Sequence, residues 1–375
     1  MKPATTWENA RKILCIRLDN MGDVLMSTPA MRALKNAAVP RHITLLASPS
    51  GAALAPYLPF INKTLVYDAP WVKNEENDAD EDGNLLRNLG AEKFDAAVIF
   101  TVYSQSPLPA ALMCRLAEIP LTLAYCRENP YHLLSDWIPE TEPELVTRHE
   151  VQRQLDLVGH VHAYAEDARL IFLTKESDRR HLYKKLEAAN IRSDQPWIVA
   201  HCGASAPSRR YPLDSYVKVL SQLGSRAGQV VLTGNTSEQN LTREIMKKCG
   251  NKAPLFNVAG ILTLGEFACL IEDASLLLSN NTGPVHLAAA LGTPIVDLYA
   301  LTNPQHKPWM VAHRVLSHDV PCKNCYRSVC PEKHHNCLRL VTPESVSEAV
   351  TDLLADTKSH FRTAFVRTKE AECLP

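Results

Sequence analysis

Short apolar runs of strand length alternate with amphipathic helical stretches along almost the whole chain, and this alternation restricts the possible folds most strongly. The predicted strands of the first half are Ile13–Leu18, Ile43–Ala47, Thr64–Tyr67, Ala96–Phe100 and Leu121–Ala124. Those of the second half are Trp197–His201, Val230–Thr233, Leu255–Val258, Leu276–Ser279 and Ile295–Tyr299. Continuous apolar strands separated by helices are typical of parallel sheets covered on both faces. The sequence therefore predicts an α/β protein with two Rossmann-like domains facing a central cleft.

The chain has 375 residues, a length that suits two domains. A charged segment, Thr174–Arg180, lies where the first series of strands and helices ends and the second begins. We therefore predict an N-terminal Rossmann-like domain over residues 1–172 and a C-terminal one over residues 173–355, followed by a tail of residues 356–375.

Three local patterns give further predictions. Helical periodicity covers Val24–Lys35 and Leu108–Ala117. A last helix should begin at Pro343, with Thr342 as its N-cap, because proline fits the first helical position. The stretch Asn74–Asp82 has six acidic residues in nine and is predicted to be a solvated surface loop.

Composition excludes several classes of protein. The 40 basic and 41 acidic residues give a net charge of −1, whereas a nucleic-acid-binding protein usually has a basic excess, so no nucleic-acid partner is predicted. No apolar run approaches the roughly 20 residues of a membrane helix, and the first one, Ile13–Leu18, contains Arg17 and does not resemble a signal peptide. We therefore expect a cytoplasmic protein whose eleven cysteines are reduced thiols or metal ligands.

The loop after the first predicted strand carries a candidate catalytic group. Asp19, Gly22 and Asp23 follow the strand, and loops at the carboxyl ends of parallel strands border the ligand crevice. Asp23 opens the next helix, where it could be an N-cap or a general base, and this pattern alone does not decide between the two roles. The loop has one glycine and therefore lacks the dinucleotide-binding motif.

Two loops of the second half suggest an anion site. Arg209 and Arg210 lie in a loop of small residues after a strand, where they could bind phosphate oxygens or simply be solvated. Thr282 and Gly283 precede a helix of small residues, whose free N–H groups form a natural anion site. Thr282 could cap that helix or bind a phosphate, and His286 could be a core histidine or a site residue.

Together these motifs resemble glycosyltransferase family 9, the lipopolysaccharide ADP-heptose heptosyltransferase family, over nearly the whole chain. The resemblance rests on Met21-Gly22-Asp23, Arg209-Arg210-Tyr211-Pro212, and Asn281-Thr282-Gly283-Pro284 through His286 to Thr293-Pro294. It implies a GT-B fold, with the acceptor on the N-terminal domain and the nucleotide sugar on the C-terminal domain. It also implies an inverting, metal-independent transferase that needs no cofactor for catalysis.

The resemblance assigns roles to individual residues. Asp23 would be the general base that deprotonates the acceptor hydroxyl. The donor-binding residues would be Ser205, Arg209, Arg210, Gly234, Glu238, Leu262, Asn281, Thr282, Gly283 and His286. Within this set, Arg209, Arg210, Thr282 and Gly283 would stabilise the departing diphosphate, Gly234 and Glu238 would lie beside the ribose, and the turn containing Leu262 would hold the base.

The donor implied is ADP-heptose, and the acceptor is a lipopolysaccharide-type or other lipid-linked saccharide, with peripheral contact at the inner face of the cytoplasmic membrane. The chain departs from the family at Asn281, where an aspartate is common, and this change bears on the identity of the donor sugar. Two alternatives stay open. A nucleotide-sugar 2-epimerase of the same architecture would need acid/base carboxylates around the donor sugar, so Asn281 argues against it. A non-catalytic nucleotide-sugar-binding protein is favoured by the loss of aspartate at position 281, whereas the presence of Asp23 argues against it.

The cysteine-rich segment 322–337 suggests a metal site. Its cysteines, Cys322, Cys325, Cys330 and Cys337, have the spacing C-x2-C-x4-C-x6-C. A C-x-x-C pair brings two thiolates within reach of one tetrahedral metal, and two further ligands complete the site. We favour a structural zinc or iron, and similar clusters occur in some members of the family. The alternatives are free thiols, a disulfide pair and a zinc module that binds nucleic acid.

Overall fold

The computed structural model describes residues 5–37, 39–72, 79–224 and 228–356. The chain divides into two compact units, Met1–Leu173 and Thr174–Pro375. None of the helices in the described part of the chain combines the length and the apolarity needed to cross a bilayer.

The first unit is built on one six-stranded parallel sheet. Its elements in chain order are β1 (Lys12–Arg17), α1 (Met21–Lys35), β2 (His42–Ala47), α2 (Pro49–Ala52), β3 (Lys63–Val66), α3 (Ala79–Glu92), β4 (Ala96–Ile99), α4 (Leu108–Leu116), β5 (Leu121–Cys126), β6 (Asp136–Pro139) and α5 (Glu150–Gly159). The strand order is β3-β2-β1-β4-β5-β6. Four central residues of β1 and all of β4 are buried, as expected for strands covered on both faces.

The second unit repeats this architecture. Its elements are α6 (Glu176–Ala188), β7 (Trp197–His201), α7 (Leu213–Leu223), β8 (Gln229–Thr233), α8 (Gln239–Cys249), β9 (Leu255–Asn257), α9 (Leu264–Glu272), β10 (Leu276–Asn280), α10 (Gly283–Leu291), β11 (Ile295–Leu298), β12 (His313–Leu316), α11 (Asn336–Arg339) and α12 (residues 343–356). The parallel strands have the order β12-β11-β10-β7-β8-β9. Val346, Val350 and Leu353 of α12 are buried in the core of this unit.

Both sheets have the doubly wound order in which the first and fourth strands of the unit are neighbours. The connections that follow these two strands run toward opposite edges of the sheet, and this opens a crevice at the carboxyl ends of the two strands. In the first unit this crevice lies after β1 and β4, and in the second it lies after β7 and β10. The candidate catalytic and anion-binding loops follow β1, β7 and β10, so the topology brings them to these crevices.

All the strands predicted from the sequence are present, with ends that differ by one or two residues. The prediction missed β6 and β12, because both strands are only partly buried and lack an apolar run. The last helix is confirmed, and Thr342 Oγ1 accepts a hydrogen bond from the Ser345 N–H at 3.2 Å.

The acidic loop prediction was wrong for residues 79–82, and residues 74–78 lie outside the described part of the chain. Residues 79–82 form the first turn of α3, which contains Asp80, Glu81 and Asp82. Carboxylates at a helix N-terminus interact favourably with the helix dipole, so the same acidic residues that suggested a loop stabilise a helix start.

Candidate active site

The crevice of the first unit contains a buried guanidinium surrounded by carboxylates. Arg17, the last residue of β1, is fully buried. Its guanidinium nitrogens lie 2.9 Å from Asp19 Oδ2, 3.4 Å from Asp23 Oδ1 and 2.8 Å from Glu150 Oε1. Glu150, at the start of α5, is also fully buried and accepts a hydrogen bond from Gln154 Nε2 at 2.7 Å. One guanidinium therefore holds three carboxyl groups together beside the crevice.

Asp23 takes part in this network and in the start of α1. The helix begins at Met21 with Asn20 as its N-cap, so the expectation that Asp23 could be the N-cap was wrong. Asp23 is instead the third helical residue, and its Oδ2 accepts a hydrogen bond from the Asn20 N–H at 3.1 Å. A carboxylate at this position completes a capping box and pre-orients the side chain. The side chain is 15% exposed, which leaves it accessible to a small reacting group.

Asp19 is a neighbour that the sequence did not single out. Burial raises the pKa of its carboxyl, and the Asp23 carboxylate raises it further, whereas Arg17 lowers it. Its Oδ1 accepts a hydrogen bond from Gln105, which lies in the loop after β4. Asp19 thus joins the two loops of the crevice. A carboxyl with a raised pKa in a crevice is typical of functional sites.

A cavity of about 300 Å³ opens beside Asp19. Its apolar walls include Trp71, Phe100 and Pro107, and its polar rim includes Ser104 and Gln105. A cavity with aromatic walls and a few polar groups is suited to a small organic ligand or to part of a saccharide.

In the second unit, Asn280 ties the two loops of the crevice together. Its Nδ2 donates to the main-chain oxygens of Cys202 at 2.9 Å and Gly203 at 3.0 Å, and its Oδ1 accepts from the Tyr211 N–H at 3.0 Å. Asn280 ends β10 and is fully buried, so its amide holds the loop after β7 in place. The sequence prediction did not include this residue.

The two predicted arginines of that loop differ. Arg210 is exposed; its Nε donates to the Ala204 main-chain oxygen at 2.8 Å and its Nη2 donates to the Ser205 main-chain oxygen at 3.4 Å. Arg209 is half-buried and forms no ion pair within the described part of the chain. Ser205 is exposed on the same loop. A half-buried guanidinium without a carboxylate partner is available to an incoming anion.

The start of α10 offers main-chain donors to an anion. Thr282 is the N-cap, but its Oγ1 donates to the Asn280 main-chain oxygen at 3.2 Å, and no side chain caps the helix. Gly283 is the first helical residue. The first N–H groups of a helix without a side-chain cap can bind phosphate oxygens.

The predicted ribose and base contacts lie at the ends of β8 and β9. Glu238 Oε2 accepts from the Asn235 N–H at 2.9 Å, and the carboxylate lies so close to Gly203 that a Cβ there would be 1.8 Å from Oε1. Gly260, two residues before Leu262, has φ +74° and donates to the Gly234 main-chain oxygen at 2.8 Å. Glycine at position 203 leaves room for the Glu238 carboxylate, and glycine at position 260 permits the positive φ of this turn.

Asn281 and His286 lie in a buried polar cluster behind the helix start. Asn281 Nδ2 donates to Asp297 Oδ2 and to the His306 main-chain oxygen, both at 2.9 Å. His286 is buried, and its ring packs edge-on against the ring of His306 at a centroid distance of 6.1 Å. The sequence prediction missed Asp297, although a single aspartate inside an apolar strand was a signal that could have identified it.

The cysteine-rich segment packs against the loop after β7. Ser208 Oγ donates to the Arg327 main-chain oxygen at 2.7 Å, and the Ser208 N–H donates to Ser328 at 2.9 Å. Cys322 Sγ lies 3.9 Å from His334 Nε2. Among the described residues, no three or more His, Cys, Asp or Glu side chains are arranged to bind one metal ion. The metal site formed by Cys322, Cys325, Cys330 and Cys337 stays a prediction.

Known proteins resemble this chain in sequence over most of its length. The sequence model of glycosyltransferase family 9 (heptosyltransferase) matches residues 83–336. Lipopolysaccharide heptosyltransferase 2 of Salmonella typhimurium is 25% identical over 365 residues, which cover 92% of this chain and 99% of that protein. Lipooligosaccharide heptosyltransferase 2 of Haemophilus influenzae is 25% identical over 354 residues, 92% of this chain and 99% of that one.

Two solved structures have a similar fold. The crystal structure of a glycosyltransferase family 9 protein from Veillonella parvula matches with a TM-score of 0.77 at 21% identity, covering 92% of this chain and 98% of that one. The E. coli ADP-heptose lipopolysaccharide heptosyltransferase II matches with a TM-score of 0.72 at 24% identity, covering 92% and 99%. These likenesses confirm the predicted GT-B fold. The family match favours glycosyl transfer over the epimerase and non-catalytic alternatives.

Proposed function

Because the chain belongs to glycosyltransferase family 9 and is a glycosyltransferase, we propose that it transfers heptose from ADP-heptose to a lipopolysaccharide-type or other lipid-linked saccharide. Its relatives named as heptosyltransferases match along nearly their full lengths, which supports this choice of sugar. The observation that carries the proposal is the Asp23 carboxylate, which lies 3.4 Å from a buried guanidinium at the crevice of the first unit.

In the proposed reaction Asp23 accepts the proton of an acceptor hydroxyl. The acceptor oxygen attacks the anomeric carbon of the donor from the face opposite the diphosphate, so a new glycosidic bond forms as the bond to the diphosphate breaks with inversion. A general base must lie within hydrogen-bond reach of the proton that it removes. The ion pair with Arg17 and the bond from the Asn20 N–H fix the carboxylate for this role.

The leaving diphosphate gains negative charge as it departs, and cations and helix N-termini stabilise such charge. We assign this role to Arg209, Arg210, Thr282 and Gly283, with a hydroxyl contact from Ser205. Arg209 has no competing carboxylate ion pair within the described residues, and the start of α10 has no side-chain cap. No metal is required for this stabilisation in the proposed mechanism.

We assign the remaining donor contacts to the ribose, the base and the sugar of the donor. Glu238 and Gly234 would lie beside the ribose, and the turn at Leu262 would hold the adenine. Asn281 and His286 would border the sugar. For the acceptor we assign the cavity beside Asp19, because its Trp71 and Phe100 walls suit the apolar face of a sugar ring and its polar rim suits the hydroxyls.

Two further parts of the proposal concern structure and location. We propose that the cysteine-rich segment binds a structural zinc or iron through Cys322, Cys325, Cys330 and Cys337. Its contacts with Ser208 suit a role in supporting the donor loop. We also propose peripheral contact with the inner face of the cytoplasmic membrane, since a lipid-linked acceptor would be presented there.

Calorimetry on the purified protein tests the donor assignment, with ADP-heptose, ADP, UDP-sugars and GDP-sugars as ligands. A clear preference for ADP-heptose, followed by heptose transfer to a core-type saccharide, is the expected result. Preference for another nucleotide sugar would retain glycosyl transfer and replace heptose. Binding of every donor without transfer to any saccharide acceptor would contradict the proposed reaction.

A further inference from the structure

Asp297 occupies an unusual position for a carboxylic acid. It is fully buried in β11, between the apolar residues Val296 and Leu298. Its Oδ1 has no hydrogen-bond partner in the described structure, and the single side-chain bond to Oδ2 comes from Asn281. Burial raises the pKa of Asp297 to about 8, although Asn281 and Arg209 both lower it. A buried and half-satisfied carboxyl is unfavourable for folding, which suggests that it serves another purpose.

The effect of Asp297 falls on Asn281. The Asn281 Nδ2 group uses both of its hydrogens, one for Asp297 Oδ2 and one for the His306 main-chain oxygen. The reverse orientation of the amide would bring its oxygen within 2.9 Å of two other acceptors. The pair therefore determines which end of the amide is free: Oδ1 is its one polar side-chain atom without a partner in the described structure. This oxygen can only accept a hydrogen bond.

The locked amide lies next to the proposed diphosphate site. Asn281 precedes Thr282, the N-cap of α10, and its N–H donates to the Leu298 main-chain oxygen at 3.2 Å. Arg209 lies close enough to lower the pKa of Asp297. A group attached to a diphosphate at the helix start would therefore lie near Asn281.

We propose that Asp297 is a positioning residue that fixes the Asn281 amide, so that Asn281 Oδ1 accepts a hydrogen bond from a hydroxyl of the donor sugar. The inference rests on the proposed function, because it requires the donor to bind at this crevice. It deepens that function by naming the pair that recognises the sugar and not the nucleotide. An aspartate at position 281 would accept through a charged oxygen. Here the acceptor is neutral, and the carboxyl lies one strand away.

The test compares the affinities of ADP and ADP-heptose for the full chain by calorimetry. Asp297→Leu removes the acceptor that orients Asn281, and we expect it to weaken ADP-heptose binding by about tenfold while leaving ADP binding close to that of the wild type. The melting temperature should stay equal or rise, since an apolar residue replaces a buried unsatisfied carboxyl. Asp297→Asn, whose amide oxygen can accept the same bond, should recover most of the lost affinity.

Thr293→Val is the matched control. Thr293 is buried in the same region and donates to the Ile271 main-chain oxygen at 2.9 Å, without contact to Asn281. It should leave the difference between ADP and ADP-heptose affinity as in the wild type. An Asp297→Leu protein that binds ADP-heptose normally, or that loses ADP and ADP-heptose equally, would overturn the inference while the wild-type binding still supports the function. A wild-type protein that binds neither ligand would overturn both.

If Asp297→Leu does not fold, exchanging the two side chains between positions 281 and 297 tests the same inference. Asn281→Asp alone brings two carboxyls together, whereas Asn281→Asp combined with Asp297→Asn restores one carboxyl and one amide in reversed order. We expect the double variant to bind ADP-heptose more tightly than Asn281→Asp alone. Equal or weaker binding by the double variant would show that the two side chains do not act as a pair.

Discussion

At the end of β1, the Arg17 guanidinium lies within 3.4 Å of carboxylate oxygens of Asp19, Asp23 and Glu150. The raised pKa of Asp19 follows mainly from burial, with a contribution from Asp23. Burial and the neighbouring carboxylate both favour the protonated form of Asp19, whereas Arg17 favours its ionised form. A proton that Asp23 takes from an acceptor hydroxyl therefore lies beside a second carboxyl, that of Asp19, which interacts with Asp23 electrostatically.

Asp23→Asn should lower turnover by about a hundredfold or more, because it removes the proposed general base, and should leave ADP-heptose affinity near that of the wild type. Steady-state kinetics and calorimetry measure the two effects. Asn20→Ala is the matched control, since it alters the N-cap of the same helix while keeping the carboxylate. Equal losses of turnover in the two variants would mean that Asp23 acts only in the start of α1.

The burial of Asp297 leads to a separate prediction, which concerns how the stability of the folded protein depends on pH. Its folded pKa of about 8 exceeds the ordinary value of 3.8. A raised folded pKa contributes stability that is complete below the unfolded pKa and lost as the pH rises through the folded value. Among the described residues, the charged and titratable groups that interact with Asp297 are Arg209, Tyr299 and Tyr216. Burial raises the pKa of both tyrosines above the ordinary value of 10.

The wild type should therefore lose melting temperature relative to Asp297→Asn as the pH rises from about 5 to about 9, because the variant cannot titrate at this position. Differential scanning calorimetry across this range measures the difference between the two proteins. Groups that both proteins share, including His306, cancel in the comparison. A difference that does not change with pH would mean that Asp297 is ionised throughout.

At the scale of elements, the sequence predicted the interior strands well because they are buried on both faces and leave continuous apolar runs. Strands β6 and β12 have no such signature, since they are only partly buried and their short sequences mix polar with apolar residues. The strand-end loops could be predicted because parallel topology brings them to one crevice. The contacts of Arg17 with Glu150 and of Asn280 with Cys202 could not be predicted, because they join residues far apart in the chain.

The cysteine-rich segment can be tested as an element. If it binds a structural metal, Cys325→Ser or treatment with a chelator should lower the melting temperature, since metal binding contributes directly to folding. Elemental analysis should find about one zinc or iron per chain. Cys114→Ser is a suitable control for the metal content, because Cys114 is a buried thiol of the other unit. Absence of a stoichiometric metal in protein purified without chelator would contradict the site.

At the scale of the whole molecule, the proposed roles separate along the chain. Asp23 and the acceptor cavity belong to Met1–Leu173, whereas every proposed donor-binding residue belongs to Thr174–Pro375. Each unit has its own six-stranded sheet, and each sheet is covered by helices from its own part of the chain. Binding and proton abstraction are thus assigned to parts of the protein that could be studied apart.

A protein of residues 174–375 should therefore unfold cooperatively and bind ADP with an affinity within about tenfold of that of the full chain, while showing no transfer. The physical reason is that its sheet, core and proposed phosphate donors are all internal to this unit. Calorimetry measures ADP binding, and Arg209→Ala in the same fragment serves as the control that should weaken it. A folded fragment that does not bind ADP would mean that the donor site needs residues of the first unit, and would contradict the assignment of the donor to the C-terminal domain.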